Sequence, residues 1–319
     1  MTDDRQTGGI GIKLAFVIPT KDRPAKLATL LDSLCAQKPR TSLRIIVVAS
    51  GQDVKDVIAG YKDSLCISYI YSDHPGQIFQ RNLGINKLLQ SQVDFIGFID
   101  DDIVFDVNSI AAMHDFLNKK IPRHHTKFGV GFNIIEEQST FELPYLWLRR
   151  ALLRIGDRPG QVVKTGWNTS ITNVENDCET EWLGGGFTVW GREVLREYQQ
   201  SAIQTEHAAC EDLIFSYPIG KVYPLFICAN ARVIHDDKGP ESLRRVLYLT
   251  KKQTLAHLYF CKQHKEFSSI LFILSGAIFY CLLLLGPKGK RGLGEFLGFW
   301  AGLGEYLRRF LFNKNVLED

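Results

Sequence analysis

The sequence lacks paired cysteine motifs, a signal-peptide pattern in its first residues and a strong net charge. Its seven cysteines are widely spaced and include no C-x-x-C pair, so we expect reduced thiols rather than a disulfide framework or a zinc ribbon. The opening residues MTDDRQTGGI do not follow the basic-then-apolar pattern of a signal peptide, and we expect catalytic parts that face the cytoplasm. A net charge of +3 gives no argument for nucleic acid as a partner.

Two common phosphate-binding loops are also missing. The glycines of GGIGIKLAF precede the first apolar run, whereas a dinucleotide-binding loop needs them after the strand. GPKGKRG, near the C-terminus, has neither the preceding strand nor the following Ser or Thr of a P-loop. A Rossmann dinucleotide site and a P-loop site are therefore excluded.

Short apolar runs alternate with amphipathic segments through the first hundred residues. Strands are predicted at KLAFVIP, LRIIVVASG, CISYIYSD and VDFIGFIDDD, with helical patterns between them. This alternation predicts an α/β fold with a Rossmann-like, mostly parallel central sheet flanked by helices. Ligands bind such sheets at the carboxyl ends of the strands. Polar clusters occupy four of those ends: Thr20–Arg23, Ser50–Asp53, Asp73–Gly76 and Asp100–Asp102.

The second half of the chain is less regular. Residues 118–181 are predicted to be an irregular insertion with some strand and helix. EWLGGGFTVWGREVLREY predicts a glycine loop, a strand and a helix; HAACEDLIFSYPIGK predicts a helix with acids in its first turn; VYPLFICANARVIHDD predicts two short strands. We divide the chain into a flexible N-terminus (1–12), a first half (13–118), a second half (119–240) and a C-terminal helical region (241–319).

Three consecutive carboxylates end the fourth predicted strand. If strand alternation continues, Asp100 and Asp102 share one face while Asp101 points away, and two carboxylates on one face can hold Mg²⁺. A solvated acidic turn and a haloacid-dehalogenase-like phosphohydrolase with Asp100 as nucleophile remain open. An EF-hand calcium loop is excluded, because Val104 and Phe105 stand where an oxygen ligand and a glycine are needed.

From about Ala15 to Asp237 the chain resembles the inverting family 2 glycosyltransferases with the GT-A fold. FVIPTKDRPAKLATLLDSL is similar to the opening strand, nucleotide loop and first helix of that family, and HPGQIFQRNLGI to its Gly…Arg-Asn-x-Gly segment. FIDDDI resembles its D-x-D motif, WLGGGFTVWGREVL its acceptor loop, CEDLIFSYPIGK its Glu-Asp motif and ARVIHD its late histidine. The chain departs from the family at the second strand end, where Ala49 and Ser50 replace the acidic residue of many members.

The resemblance implies a metal-dependent transfer of a sugar from a nucleotide-diphosphate donor to a saccharide or lipid-linked acceptor, in polysaccharide or glycolipid assembly. It implies Asp212 as general base, with Glu211 beside it. The implied ligands of Mn²⁺ or Mg²⁺ are Asp102, Asp100 and His235. The implied donor contacts are Pro19, Thr20, Asp22, Arg23, Ser50, Asp73, Gly76, Arg81, Asn82, Asp100 and Asp101, and the implied acceptor contacts are Trp182, Gly184, Gly185 and Gly186.

Each of these motifs also has a structural interpretation. Glu211 and Asp212 could merely complement a helix N-terminus, the three glycines could form a turn, and His235 could be a satisfied core histidine. A catalytically silent scaffold of the same fold is the non-enzymatic alternative.

The C-terminal region contains FSSILFILSGAIFYCLLLL at 267–285, a run without charge that is long enough to span a bilayer. An amphipathic, basic stretch follows it. A single span would place Lys288, Lys290 and Arg291 outside, against the positive-inside tendency. We therefore expect a peripheral or re-entrant hairpin at the cytoplasmic face of the cell membrane; a packed helical pair within a soluble protein or oligomer is the alternative.

Overall fold

The computed structural model describes residues 11–38, 43–136, 143–200, 210–236, 242–284 and 289–311. Most of the predicted flexible N-terminus, together with Asp237, Leu285 and Lys288, lies outside these residues. The predicted domain boundaries therefore stay predictions.

Nine strands form one sheet within the described residues. They are β1 (Leu14–Lys21), β2 (Arg44–Ser50), β3 (Cys66–Tyr71), β4 (Phe95–Ile99), β5 (Ile103–Phe105), β6 (Gly129–Ile134), β7 (Cys178–Thr180), β8 (Phe187–Gly191) and β9 (Leu225–His235).

The helices lie on the two faces of this sheet and in a separate C-terminal group. They are α1 (Pro24–Cys35), α2 (Lys55–Ala59), α3 (Gln77–Leu89), α4 (Ser109–His124), α5 (Leu143–Ala151), α6 (Arg192–Glu197), α7 (Glu211–Gly220), α8 (Leu243–Gln263), α9 (Ser269–Leu284) and α10 (Gly289–Leu311).

The strand order is β3-β2-β1-β4-β8-β6-β9-β5, with β7 also paired to β9. Strands β3, β2, β1 and β4 are parallel, while β8 joins β4 and β6 in antiparallel pairs. Strands β6 and β9 are parallel to each other, and β5 and β7 pair antiparallel with β9. The prediction of an α/β fold with a central sheet flanked by helices is confirmed, and the parallel part is the half that the sequence pattern covered.

The sheet is buried on both faces, which explains why its strands are continuous apolar runs. Side chains of β1 alternate between the two cores: Phe16 and Ile18 pack on the side of α1 and α4, whereas Val17 packs on the side of α3. A Cβ at Gly84 of α3 would overlap the Val17 side chain, so glycine lets this helix approach the sheet closely and places the start of α3 near the strand ends.

Two predictions about the strands need correction, and a third agrees with the structure. VYPLFICANARVIHDD forms one strand, β9, rather than two; its pairing with β6 contains an irregularity, and its last residues also pair with β5. The insertion, predicted to contain some strand and helix, includes the buried strand β6 and the helix α5. The strand bearing the three aspartates ends at Ile99, so Asp100–Asp102 form a turn and strand alternation does not apply to them.

The C-terminal helices pack together around a separate apolar cluster that includes Leu258, Phe272, Tyr280 and Phe299. The uncharged run predicted at 267–285 becomes α9, which begins at Ser269 and ends at Leu284. Across the described segments, no helix combines the length and the apolar character that a bilayer span requires.

Candidate active site

The sheet topology brings the predicted strand-end residues to one edge. The carboxyl ends of β1, β2 and β4 meet there because these strands are parallel. The loop Gly184–Gly186 precedes β8, which runs antiparallel to β4, so this loop lies beside the end of β4. His235 ends β9 and pairs with Ile103 of the antiparallel β5, so it lies next to the aspartate turn. Segments far apart in sequence therefore converge on the three aspartates.

Arg81 is the charged centre of this edge. Its side chain is only 1% exposed, and its Nη2 lies 2.7 Å from Asp100 Oδ1 while its Nη1 lies 2.9 Å from Glu211 Oε1. Asp100 Oδ1 also accepts a 2.7 Å hydrogen bond from the Gln77 side chain. A buried guanidinium thus connects the aspartate turn after β4 with the first residue of α7.

Asp101 and Asp102 have other partners. Thr20 donates a 2.6 Å hydrogen bond to Asp101, and Arg23 Nη1 lies 3.1 Å from a carboxylate oxygen of both Asp101 and Asp102. The second oxygen of Asp102 lies 3.4 Å from His235 Nε2. The expectation that Asp101 points away while its neighbours share a face is wrong, because all three residues belong to a turn in which Asp101 and Asp102 share Arg23 while Asp100 pairs with Arg81.

Gly185 and Gly186 lie between the aspartate turn and the start of α7. A Cβ at Gly185 would overlap Asp212 Oδ1 and would lie 3.0 Å from Arg81 Nη1. A Cβ at Gly186 would overlap Asp100 Oδ2, and the Gly186 carbonyl accepts a 2.8 Å hydrogen bond from the Asp100 N–H. These glycines therefore permit Asp212 of α7 and the aspartate turn to approach the same loop.

Burial and like charge raise the pKa of both acids at the start of α7. Burial raises the pKa of Asp212 to about 6, against the lowering effect of Arg81, and the nearby Asp100 raises it further. Burial likewise raises the pKa of Glu211, which Arg81 opposes and Asp212 reinforces. Carboxylates with raised pKa values are suited to accept a proton near neutral pH.

The aspartate turn has different electrostatics. Burial raises the pKa of Asp101 to about 6, although Thr20 and Arg23 favour its ionised form. Burial also disfavours ionisation of Asp102, but contacts with His235 and Arg23 outweigh it and hold the pKa of Asp102 below its usual range. Of Asp101 and Asp102, Asp102 is therefore the one whose carboxylate ionises more readily.

The residues present fit a divalent cation at Asp102 and His235. Asp102 Oδ1 is buried without a hydrogen-bond partner and faces His235 Nε2. One or two protein ligands of this kind are enough for Mg²⁺ or Mn²⁺ when phosphate and water complete the coordination shell. Asp100 turns one oxygen toward Arg81 and Gln77. Among the described residues, no group of three or more acidic, histidine or cysteine side chains is placed to enclose a metal.

The structure gives the remaining predicted donor residues different surroundings. Asp22 adopts a positive φ of 55° and accepts a 2.8 Å hydrogen bond from the Gln52 N–H, which fastens the loops after β1 and β2 together. The Ser50 hydroxyl is buried without a hydrogen-bond partner. The others are placed as follows: Pro19 lies within β1, Asp73 is exposed, Gly76 directly precedes α3, and Asn82 donates a 2.9 Å hydrogen bond to the Gln200 carbonyl.

Trp182, predicted to contact an acceptor, packs against the apolar clusters beside α7. Its indole N–H donates a 3.2 Å hydrogen bond to the Thr169 carbonyl. The structure therefore places this residue next to the glycine loop with its polar atom already occupied.

Sequence reasoning missed two glutamines of α3. Gln77 contacts Asp100, and the buried Gln80 donates hydrogen bonds to the carbonyls of Thr20 and Val48, at 2.9 and 2.7 Å. Gln80 thereby fixes the spacing of β1 and β2 near their ends. The available signal was the presence of Gln80 and Arg81 on the buried side of α3, where an ordinary amphipathic helix carries apolar residues.

Comparison with known proteins gives a family and a set of distant structural likenesses. The crystal structure of TarS 1-349 from S. aureus has a TM-score of 0.48 and 13% identity, covering 92% of each chain. TarS 1-349 in complex with UDP-GlcNAc has a TM-score of 0.46 and 14% identity, covering 95% of this chain and 93% of the other. No curated protein matches the sequence. Residues 15–135, which carry β1 to β6 and the aspartate turn, match the model of glycosyl transferase family 2.

Proposed function

We propose that the protein is an inverting glycosyltransferase that moves a sugar from a nucleotide-diphosphate donor to an acceptor hydroxyl. The observation that carries the proposal is the convergence of the aspartate turn and the Glu211–Asp212 pair on one glycine loop, joined by the buried Arg81. The aspartate turn suits a divalent cation that would carry a diphosphate, and the Glu211–Asp212 pair suits a proton acceptor. Sugar transfer needs both.

In this proposal Asp212 acts as the general base. Its pKa near 6 leaves it ionised at neutral pH yet basic enough to take the proton of an acceptor hydroxyl. For inversion, the hydroxyl attacks the anomeric carbon from the face opposite the leaving diphosphate. Glu211 forms an ion pair with Arg81, and the positive charge of Arg81 offsets the repulsion between the Glu211 and Asp212 carboxylates.

The donor would lie along the edge formed by the loops after β1, β2 and β4. Arg23 is 54% exposed, so it can turn toward a diphosphate, whereas Arg81 is enclosed. We propose Mn²⁺ or Mg²⁺ as the cofactor, held by Asp102 and His235 with Asp100 nearby; a bound cation would offset charge on the leaving diphosphate. The donor is proposed to be a nucleotide-diphospho-sugar, and the acceptor a saccharide or a lipid-linked saccharide in polysaccharide or glycolipid assembly.

The phosphohydrolase alternative is less well supported. A nucleophilic Asp100 would need an accessible oxygen to attack phosphorus, but Asp100 Oδ1 is engaged by Arg81 and Gln77, and the other oxygen lies closely against Gly186. Asp100 also follows the fourth strand rather than the first.

The test combines donor binding with two carboxamide variants. Thermal-shift titration with UDP, GDP and dTDP, each with and without Mn²⁺, should identify the nucleotide, and transfer or donor hydrolysis is then measured with the matching sugar nucleotides. Asp212→Asn should abolish transfer while keeping metal–nucleotide binding. A phosphohydrolase would instead survive Asp212→Asn and lose activity with Asp100→Asn. The silent scaffold would bind no nucleotide sugar at all.

A further inference from the structure

The outward face of α9 is the first part of an unusual surface. Its exposed residues are Ile270, Leu271, Leu274, Ile278, Cys281 and Leu284, with none charged. An exposed helix normally carries polar residues on its solvent side, and contiguous exposed apolar surface marks an interaction site. Ile270 is 71% exposed and Leu274 is 56% exposed, so this face is uncovered along its length.

Helix α10 presents a second apolar stripe. Six of its exposed residues, all uncharged, recur at spacings of three and four, the pattern of one helical face: Leu293, Leu297, Trp300, Gly304, Leu307 and Leu311. A Cβ at Gly304 would contact nothing, which confirms that this face is open.

The other faces of α10 are occupied. Gly294, Gly298 and Gly302 lie close to α8, where added Cβ atoms would collide with Val246, the Leu247 carbonyl and the Lys251 carbonyl. Phe299 and Leu303 belong to the cluster shared with α9. The exposed stripe is therefore the third face of a helix whose other two are packed, and not a consequence of a loosely placed helix.

Positive charge accompanies this apolar surface. Segments 242–284 and 289–311 contain ten Lys and Arg residues and three Glu residues, an excess larger than the net charge of +3 of the whole chain. Because α8 and α10 run side by side with Val246 next to Gly294, the exposed Arg244, Arg245, Lys290 and Arg291 gather at one end of the pair.

We propose that the exposed faces of α9 and α10 form a docking surface for an anionic lipid bilayer, on which the protein lies without spanning it. Apolar side chains would enter the interfacial region of the bilayer while the basic residues meet acidic headgroups. A second copy of the chain is disfavoured as occupant, because a two-fold interface through this region would bring its excess positive charge against itself. The proposal rests on the proposed function only for the side of the membrane, since nucleotide sugars are cytoplasmic.

Vesicle flotation of the full chain tests this surface. We expect it to float with vesicles of phosphatidylcholine plus phosphatidylserine, and to float poorly with phosphatidylcholine alone or in high salt. Leu274→Gln combined with Ile278→Gln should reduce partition about tenfold, because two largely exposed apolar side chains are lost. Arg244→Gln combined with Arg245→Gln should reduce only the binding to the anionic vesicles. Val222→Gln is the matched control, since Val222 is 60% exposed but follows α7, outside the C-terminal helices.

Two results would overturn the proposal. One is wild-type flotation by both double variants. The other is a stable dimer, seen by light scattering without lipid, that Leu274→Gln with Ile278→Gln dissociates. Nucleotide-sugar binding is measured on the same samples: a protein that floats but binds no nucleotide sugar would refute the proposed function and leave the docking surface standing.

Discussion

Two arginines each bridge two acids of the site, and their different burial predicts very different consequences of removing them. Arg81 is 1% exposed between Asp100 and Glu211, whereas Arg23 is 54% exposed between Asp101 and Asp102. Replacing either arginine by glutamine removes one positive charge next to two carboxylates. The pair is therefore a matched test of burial at fixed chemistry.

The expected magnitudes differ several-fold. Breaking a buried ion pair by removing one partner costs about 3–5 kcal/mol of unfolding free energy, since the remaining charge has no compensation. An exposed ion pair contributes about 0–1 kcal/mol. With an m value near 3 kcal/mol/M, Arg81→Gln should lower the urea midpoint by roughly 1 M or more, and Arg23→Gln by a few tenths. Arg81→Lys should fall between them, because an ammonium group cannot reach both acids as a planar fork does.

The dependence on pH gives a second measurement. Loss of Arg81 removes the charge that opposes the raised pKa values of Glu211 and Asp212, so in the variant these folded-state pKa values rise further above their unfolded values. The folded variant then binds more protons than the unfolded chain, and its stability increases as pH falls through that window. The deficit of Arg81→Gln should therefore shrink between pH 8 and pH 5. Equal midpoint shifts for the two arginine variants, or a deficit constant with pH, would refute this reasoning.

Three further outcomes follow from the geometry. Gly186→Ala should weaken sugar-nucleotide binding at least about tenfold by displacing the aspartate turn, whereas Gly60→Ala, at a position where a Cβ meets only one carbonyl at 3.4 Å, should not; calorimetric titration checks both. Initial transfer rates should fall below about pH 6 as Asp212 becomes protonated, and a rate unchanged from pH 7 to pH 5 would exclude it as the base. Asp102→Asn and His235→Ala should each weaken Mn²⁺ binding about tenfold in the presence of nucleotide, measured by electron paramagnetic resonance, and wild-type affinity in either variant would remove that residue from the ligand set.

The parallel half of the fold was predictable because local pattern and tertiary environment agree there. Strands buried on both faces read as unbroken apolar runs, and each is followed by polar residues at the edge where ligands bind. Strand β6 was not separated from its irregular surroundings, since its short run, GVGFNI, includes two glycines and an asparagine. These small or polar residues are accepted because the neighbouring strands fill the space: a Cβ at Gly129 would overlap Trp190.

The bridge at Arg81 could not be read from local sequence. Its partner Glu211 is 130 residues away along the chain, and only the strand order β4-β8, which places the glycine loop beside the aspartate turn, brings the two together. The resemblance implied Arg81 as a donor contact, and that role stays a prediction. What the structure adds is its buried position between Asp100 and Glu211, which joins the two halves of the site.

The positions of the basic side chains around the aspartate turn indicate which aspartate is best placed to bind a metal ion. Three adjacent carboxylates repel one another, and the fold offsets this by directing Asp100 to Arg81, Asp101 to Thr20 and Arg23, and Asp102 to Arg23 and His235. The negative charge of Asp100 is already compensated by the buried guanidinium of Arg81, which cannot move away without leaving the Glu211 carboxylate unpaired. Asp102 instead has a lowered pKa and a buried oxygen without a hydrogen bond, and its partners Arg23 and His235 are exposed enough to rearrange when a ligand arrives. We therefore expect a cation to bind first at Asp102, with Asp100 setting the position of the turn.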